Sequence, residues 1–133
     1  MILGIGNDLI DIRRIESVLK RHKERFIQRC FTDEEIAKAE SRRSAGTHID
    51  TYAKRFAAKE ACAKALGTGF NHGIYMKDIG VINDEDGKPV LVLRNSAEKR
   101  LRSMIPPGKT AHIHLSISDE YPLAQALVMI EAL

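Results

Sequence analysis

Apolar and polar residues follow two rhythms along this chain, one helical and one of strands, and most elements declare themselves by rhythm alone. Residues 1–7 set Ile2, Leu3 and Ile5 among glycines, the pattern of a short buried strand that ends at a polar tip, Asn7-Asp8. Beyond it, Ile12, Ile15, Leu19 and Phe26 recur at steps of three, four and seven, which draws the apolar face of a helix. Thr32-Asp33-Glu34-Glu35 is a capping box, in which hydroxyl and carboxylate each satisfy a backbone N–H, and it predicts a short helix to about Ser41. Residues 42–47 are polar and read as a loop. A long central helix follows from about Ile49 to Leu66. Its stretch Arg55 to Leu66 is rich in alanine, lysine, glutamate and leucine, which lose little side-chain freedom in a helix. Gly67 and Gly69 end it. Ala57, Ala58, Ala61 and Ala65 are small, so other backbone can come close to this helix.

The second half changes rhythm. Residues 79–82 and 89–93 read as two strands joined by the hairpin turn Asp84-Glu85-Asp86-Gly87-Lys88. Asn95, with Glu98 three residues on, is expected to cap a short helix that Pro106-Pro107-Gly108 ends. Residues 112–118 alternate, 123–130 do so less cleanly, and Asp119-Glu120-Tyr121-Pro122 joins them as a closing hairpin. No repeat, low-complexity tract or linker interrupts the pattern. The expected class is α+β, a small, mostly antiparallel sheet packed against the long central helix in a single domain over 1–133.

Charge sharpens this picture more than composition does. The net charge is only +3. Yet Arg13, Arg14, Lys20, Arg21, Lys23, Arg25 and Arg29 crowd the first helix against Glu16 and Glu24. Arg14, Arg21 and Arg25 fall on one stripe, which is either a solvated face or a dock for an acidic partner. A single-strand nucleic-acid binder would interleave aromatic residues there. The stretch holds only Phe26, and the chain has no Trp, so nucleic acid is not the expected partner. No apolar run reaches the length of a membrane span, and the N-terminus turns acidic at Asp8 without a basic leader. Cys30 and Cys62 are too few and too far apart for a disulfide framework or a cysteine zinc site, so a reducing, cytoplasmic setting is expected. His112 and His114 would share one side of a strand, a weak metal signal without a third ligand.

Two features carry candidate chemistry. Glu60 and Lys64 lie one turn apart on one helix face, with Phe56 a further turn back. Taken alone they make an exposed ion pair worth about 0.3–0.5 kcal/mol. Asp8 alone is equally a helix cap or a functional carboxylate.

Three stretches, taken together, resemble one family. Gly4-Ile5-Gly6-Asn7-Asp8-Leu9 with Ile12 and Arg14 is similar to the first motif of holo-(acyl-carrier-protein) synthases. Arg55-Phe56-Ala57-Ala58-Lys59-Glu60-Ala61 through Lys64-Ala65-Leu66-Gly67-Thr68-Gly69 is similar to the second, which is long and specific. His114-Leu115-Ser116-Ile117-Ser118, followed by Tyr121, resembles the third, and Asp86-Gly87-Lys88-Pro89 is a family-like turn. The resemblance spans essentially the whole chain.

It implies a small 4′-phosphopantetheinyl transferase, which moves the phosphopantetheine arm of coenzyme A to a serine of an apo acyl carrier protein. By that resemblance Asp8 and Glu60 hold Mg²⁺ with the diphosphate, and such a hard ion does take one or two carboxylates plus substrate phosphates. Glu60 and Lys64 are the implied catalytic residues. Arg55, Lys59, Lys64, Gly67, Ser116 and Ser118 are implied on the coenzyme A side, and Arg14, Arg21 and Arg25 on the carrier side. No dedicated general base is evident, and Glu60 or a metal-bound water is the candidate. Family members of this length are homotrimers with active sites between subunits. One departure stands out: many relatives have histidine where this chain has Asp119, and a carboxylate cannot replace a cationic imidazole beside a phosphate. Two neighbouring readings are a catalytically silent carrier-binding protein, which would lack Asp8, Glu60 or Lys64, and a transferase for polyketide or peptide carriers.

Overall fold

A computed structural model describes all 133 residues. Strand β1 (Ile2–Asp11) runs directly into helix α1 (Ile12–Cys30), which bends at His22, where φ −138° and ψ 40° leave the helical region. Helix α2 (Asp33–Glu40) and the long helix α3 (His48–Ala65) follow. A hairpin of β2 (Ile79–Asn83) and β3 (Pro89–Leu93) precedes helix α4 (Asn95–Met104). Strands β4 (Ala111–Glu120) and β5 (Leu123–Ala132) close the chain. β5 lies between β1 and β4 in an antiparallel sheet, and β2–β3 form a separate two-stranded ladder. The architecture is the α+β arrangement expected, a small antiparallel sheet against a long central helix.

The sheet and α3 meet unusually closely. Ala124, Ala126, Val128, Ile130 and Ala132 of β5 all face α3 and are buried. A Cβ built on Gly4 would stand 2.0 Å from the Ala65 carbonyl oxygen, and one on Gly6 1.9 Å from that of Ala61. Any side chain at either position would push β1 off the helix, so glycine on the strand and alanine on the helix together set the spacing. The small residues of α3 therefore do what their size suggested.

The other side of α3 is fixed by charge rather than by small size. The capping box forms: Thr32 Oγ1 accepts from the Glu35 N–H at 3.3 Å, and Glu35 Oε1 accepts from the Thr32 N–H at 2.8 Å. The same carboxylate accepts the Val81 N–H at 2.6 Å and the Lys59 ammonium at 2.6 Å. Lys59 Nζ also donates to the carbonyls of Met76 (3.0 Å) and Ile79 (2.7 Å). Neither side chain of the pair is exposed at all. One ion pair thus ties α2, α3, β2 and the turn before β2, and removing one partner of such a pair costs about 3–5 kcal/mol.

Three local expectations need correction. β1 continues to Asp11 instead of ending at residue 7, because its pairing with β5 extends to Asp11 opposite Leu123. Asp8 is consequently a strand residue opposite Ala126, not a strand tip, and Asp11 is the cap of α1, accepting the Arg13 N–H at 2.9 Å. Asn95 is not a cap. Arg94 holds that position without a side-chain bond, while Asn95, at φ 52°, donates its amide to Asp78 at 3.1 Å. Asp78 is buried and needs donors, so a tertiary contact has claimed a residue that local preference would put at a helix end.

Candidate active site

Helix α3 carries most of the candidate residues, and its pitch decides where they go. At about 100° per residue, Glu60 and Lys64 share a side, while Arg55 and Glu60 are about 140° apart. They open into different cavities.

The first, about 360 Å³, is lined by Asp8, Arg14, Phe26, Phe56, Glu60 and Lys64, among others. Asp8 reaches it because it alternates with Gly6 and Ile10 on the helix-facing side of β1. Lys64 Nζ donates to Asn7 O at 2.9 Å and Asp8 Oδ1 at 3.1 Å, so its partner is Asp8 rather than the Glu60 one turn away. Burial, and then the negative charge of Asp8, raise the Glu60 carboxyl above the usual glutamate range against the opposing Lys64. Two carboxylates and a lysine here fit a hard divalent ion shared with substrate phosphates: two protein ligands and the rest from substrate and water.

The second cavity, about 240 Å³, lies where α3, the β2–β3 turn and the end of β4 meet, and its polar lining includes Arg42, Thr51, Lys54, Arg55, Asn83 and Asp119. Arg55 is 6% exposed. Its Nη2 donates to Asn83 Oδ1 at 2.6 Å, and its buried Nε has no partner. Burial draws its proton affinity down, and Glu35 opposes this. Asp119 faces Lys54, 3.8 Å away.

The remaining expected residues do not join either group. Ser116 and Ser118 are exposed on the side of the sheet away from α3, with Ser118 in a third cavity of about 250 Å³ beside Leu9 and Gln125. Gly67 is exposed just beyond α3, in the left-handed conformation (φ 79°) that ends the helix. Lys59 offers no exposed donor to a phosphate: its ammonium is engaged by Glu35 and two carbonyls in the core, so in this chain it supports the site from behind. Arg25 lines an open groove of about 640 Å³ with Val18 and Phe26, which also line the first cavity. Arg21 is exposed on the same helix and lines neither. His112 and His114 are exposed, His114 pairs with Glu131 at 3.0 Å, and no three metal-ligating side chains gather anywhere.

Arg42, Lys54 and Asn83 were not legible as site residues. Arg42 sits in a segment that reads as a plain polar loop, and Asn83 ends a strand about thirty residues away; only the fold brings them to Arg55.

Comparison with known proteins gives the same picture. Residues 4–126 match the family model described as the 4′-phosphopantetheinyl transferase superfamily. The chain is 59% identical over 133 residues to a holo-[acyl-carrier-protein] synthase of Rhizobium meliloti (strain 1021), covering all of this chain and 94% of that one. Among solved structures, the holo-[acyl-carrier-protein] synthase of Neisseria meningitidis superposes with a TM-score of 0.84 at 37% identity, covering 98% of this chain and 99% of that one. A holo-(acyl-carrier-protein) synthase of Bacillus anthracis str. Ames, solved in complex with CoA (3′,5′-ADP), gives a TM-score of 0.75 at 35% identity, covering 98% and 96%. Sequence and fold agree over nearly the full length, and the chain belongs to the 4′-phosphopantetheinyl transferase superfamily.

Proposed function

We propose that this protein transfers the 4′-phosphopantetheine arm of coenzyme A to a serine of an apo acyl carrier protein, giving the holo carrier and adenosine 3′,5′-bisphosphate for fatty acid biosynthesis. The observation that carries the proposal is the convergence of Asp8, Glu60 and Lys64 in one cavity with Arg14 in its lining. The serine oxygen attacks the β-phosphorus, the bond to the bridging oxygen breaks, and the adenosine bisphosphate leaves with the electron pair. Such transfer depends on positioning and on neutralising charge that moves toward the leaving phosphate. Lys64, held by Asp8, supplies one fixed positive charge. Asp8 and Glu60 would hold Mg²⁺, which when bound adds charge neutralisation at the diphosphate. Glu60 is the base we assign to the serine hydroxyl.

The Arg55 cavity suits the nucleotide end, since a buried guanidinium with a free donor asks for an anion. The Arg14–Arg25 side of α1, lined with Val18 and Phe26, suits an acidic carrier helix. Homotrimeric assembly is supported by the uncovered face of the sheet, where Ile5 is 64% exposed, Leu9 61% and Leu127 41%. A second copy there would also bring Ser116 and Ser118 to a site that one copy leaves apart. No helix is long and apolar enough to cross a membrane, and the reaction we assign belongs with soluble cytoplasmic carriers.

The test is the intact mass of an apo acyl carrier protein after incubation with this protein, coenzyme A and Mg²⁺. A phosphopantetheine-sized gain that disappears with EDTA is expected. No gain with several folded apo carriers would contradict the assignment.

A further inference from the structure

Asp119 lies at the second cavity, and its surroundings give it work to do. It lines the second cavity from the end of β4, and Lys54 lines it from α3. Their charged atoms are 3.8 Å apart, with the side chains 29% (Lys54) and 40% (Asp119) exposed. A pair this exposed is worth only about 0–1 kcal/mol to the fold. Its separation also leaves the ammonium loosely held, with donors to spare. Lys54 has no other partner in the structure within ion-pair distance.

Two further cations line the cavity, and no further carboxylate does. Arg42 stands beside Thr51, to whose hydroxyl it donates at 3.1 Å. Arg55, almost fully buried, uses Nη2 on Asn83 and leaves Nε unpartnered. Three cations against one carboxylate give the cavity a local charge of +2 (3 − 1), the complement of a phosphomonoester dianion. Two of the three cations are already directed by neutral partners. Lys54, on a flexible four-carbon stem, is directed only by Asp119.

We propose that Asp119 is a positioning residue for Lys54: it holds the ammonium over the mouth of the Arg42–Arg55 cavity, where Lys54 binds a phosphate of the nucleotide donor. The cation is carried on α3, and the β4 position holds the counter-ion that aims it. Asp119 itself stays off the phosphate, since a carboxylate in contact would repel it. The assignment rests on the coenzyme A reading of the preceding section.

The experiment combines direct binding with kinetics on the full-length protein. Binding of adenosine 3′,5′-bisphosphate is measured by calorimetry for the wild type, Lys54→Met, Asp119→Asn and the double variant, and KM and kcat are measured with coenzyme A and with 3′-dephospho-coenzyme A. Lys54→Met is expected to weaken bisphosphate binding about tenfold, as loss of one charge-assisted phosphate contact does. It should raise KM for coenzyme A with kcat kept, and leave KM for the dephospho donor nearly unchanged. Asp119→Asn should weaken binding a few-fold in the wild-type background and not at all in Lys54→Met, the coupling that a shared role requires. Tighter binding in Asp119→Asn would overturn the proposal, showing that the carboxylate merely weakens the cavity's field. So would an equal effect of Asp119→Asn in both backgrounds, or a fall in kcat with KM unmoved. If the wild type transfers nothing yet binds the bisphosphate with the expected coupling, the reaction assigned above fails and the roles of Lys54 and Asp119 stand.

Discussion

The two cavities beside α3 are built from the same helix, five residues apart, and are opposite in kind. One gathers Asp8 and Glu60 around Lys64 and lies against a basic, partly apolar helix. The other gathers Arg42, Lys54 and Arg55 around Asp119 and is nearly all polar. Facing carboxylates suit a metal ion, and cations in excess of carboxylates suit phosphate. A metal-diphosphate substrate with a nucleotide tail requires both. The helix pitch keeps them apart in one copy, so on the assembly proposed above each chain would contribute two halves of a site.

The sharpest way to separate the halves is Glu60→Gln. It should abolish Mg²⁺-dependent transfer, by roughly a thousandfold or more if both charge neutralisation and proton transfer are lost. Binding of adenosine 3′,5′-bisphosphate at the basic cavity should persist, and calorimetry beside the mass assay reads both. Loss of both together would break the comparison.

Lys59 and Lys64 give the next contrast, since they belong to one motif and have unlike fates. Lys59→Met or Glu35→Gln alone leaves a buried charge without its partner and should cost about 3–5 kcal/mol in denaturant unfolding. Lys64→Met, at an exposed position, should cost under about 1 kcal/mol while transfer collapses. The double variant Lys59→Met with Glu35→Gln should regain part of the stability lost in either single variant.

Charge reversal of Arg14 and Arg21 together tests whether the Asp8–Glu60 cavity has a carrier side. KM for the carrier should rise about ten- to a hundredfold with KM for coenzyme A little changed, and the salt sensitivity of carrier use should flatten. Equal loss for both substrates would count against docking on α1.

The smallest expected effect concerns pH. Glu60 is held above its ordinary proton affinity by burial and by Asp8, so its charged form is a cost to the metal-free fold. That cost is absent below the unfolded-state value and complete above the raised folded-state value. Metal-free wild type should therefore lose stability relative to Glu60→Gln as pH rises from the usual glutamate range upward, and Mg²⁺ should narrow the gap. Thermal melts of the two proteins over a pH series check the sign.

Much of this was legible before the fold was known. The order and type of the elements, the stop at Gly67 and the small face of α3 rest on local signals, and the grouping of Asp8 with Glu60 and Lys64 comes from the family resemblance. What failed was decided by tertiary partners. β1 outruns its apolar pattern because β5 offers a partner to its end. Asn95 leaves the helix cap because buried Asp78 needs its amide. Lys59 is expected near the nucleotide by the family resemblance, but it lies one residue before Glu60, a turn of about 100° on the helix, enough to send it into the core. Lys54 and Asp119, sixty-five residues apart (119 − 54), carry no spacing that would link them.

The claim that each copy holds two half-sites is tested most directly by mixing them. Glu60→Gln and Arg55→Ala subunits, each nearly inactive alone at coenzyme A concentrations well below KM, are co-expressed with different tags, and the mixed oligomers are purified through both. If sites form between copies, the mixed oligomers contain some with Glu60 from one chain and Arg55 from the other, and transfer should return to a substantial fraction of wild type. Mixed oligomers no more active than the average of the two parents would contradict the account.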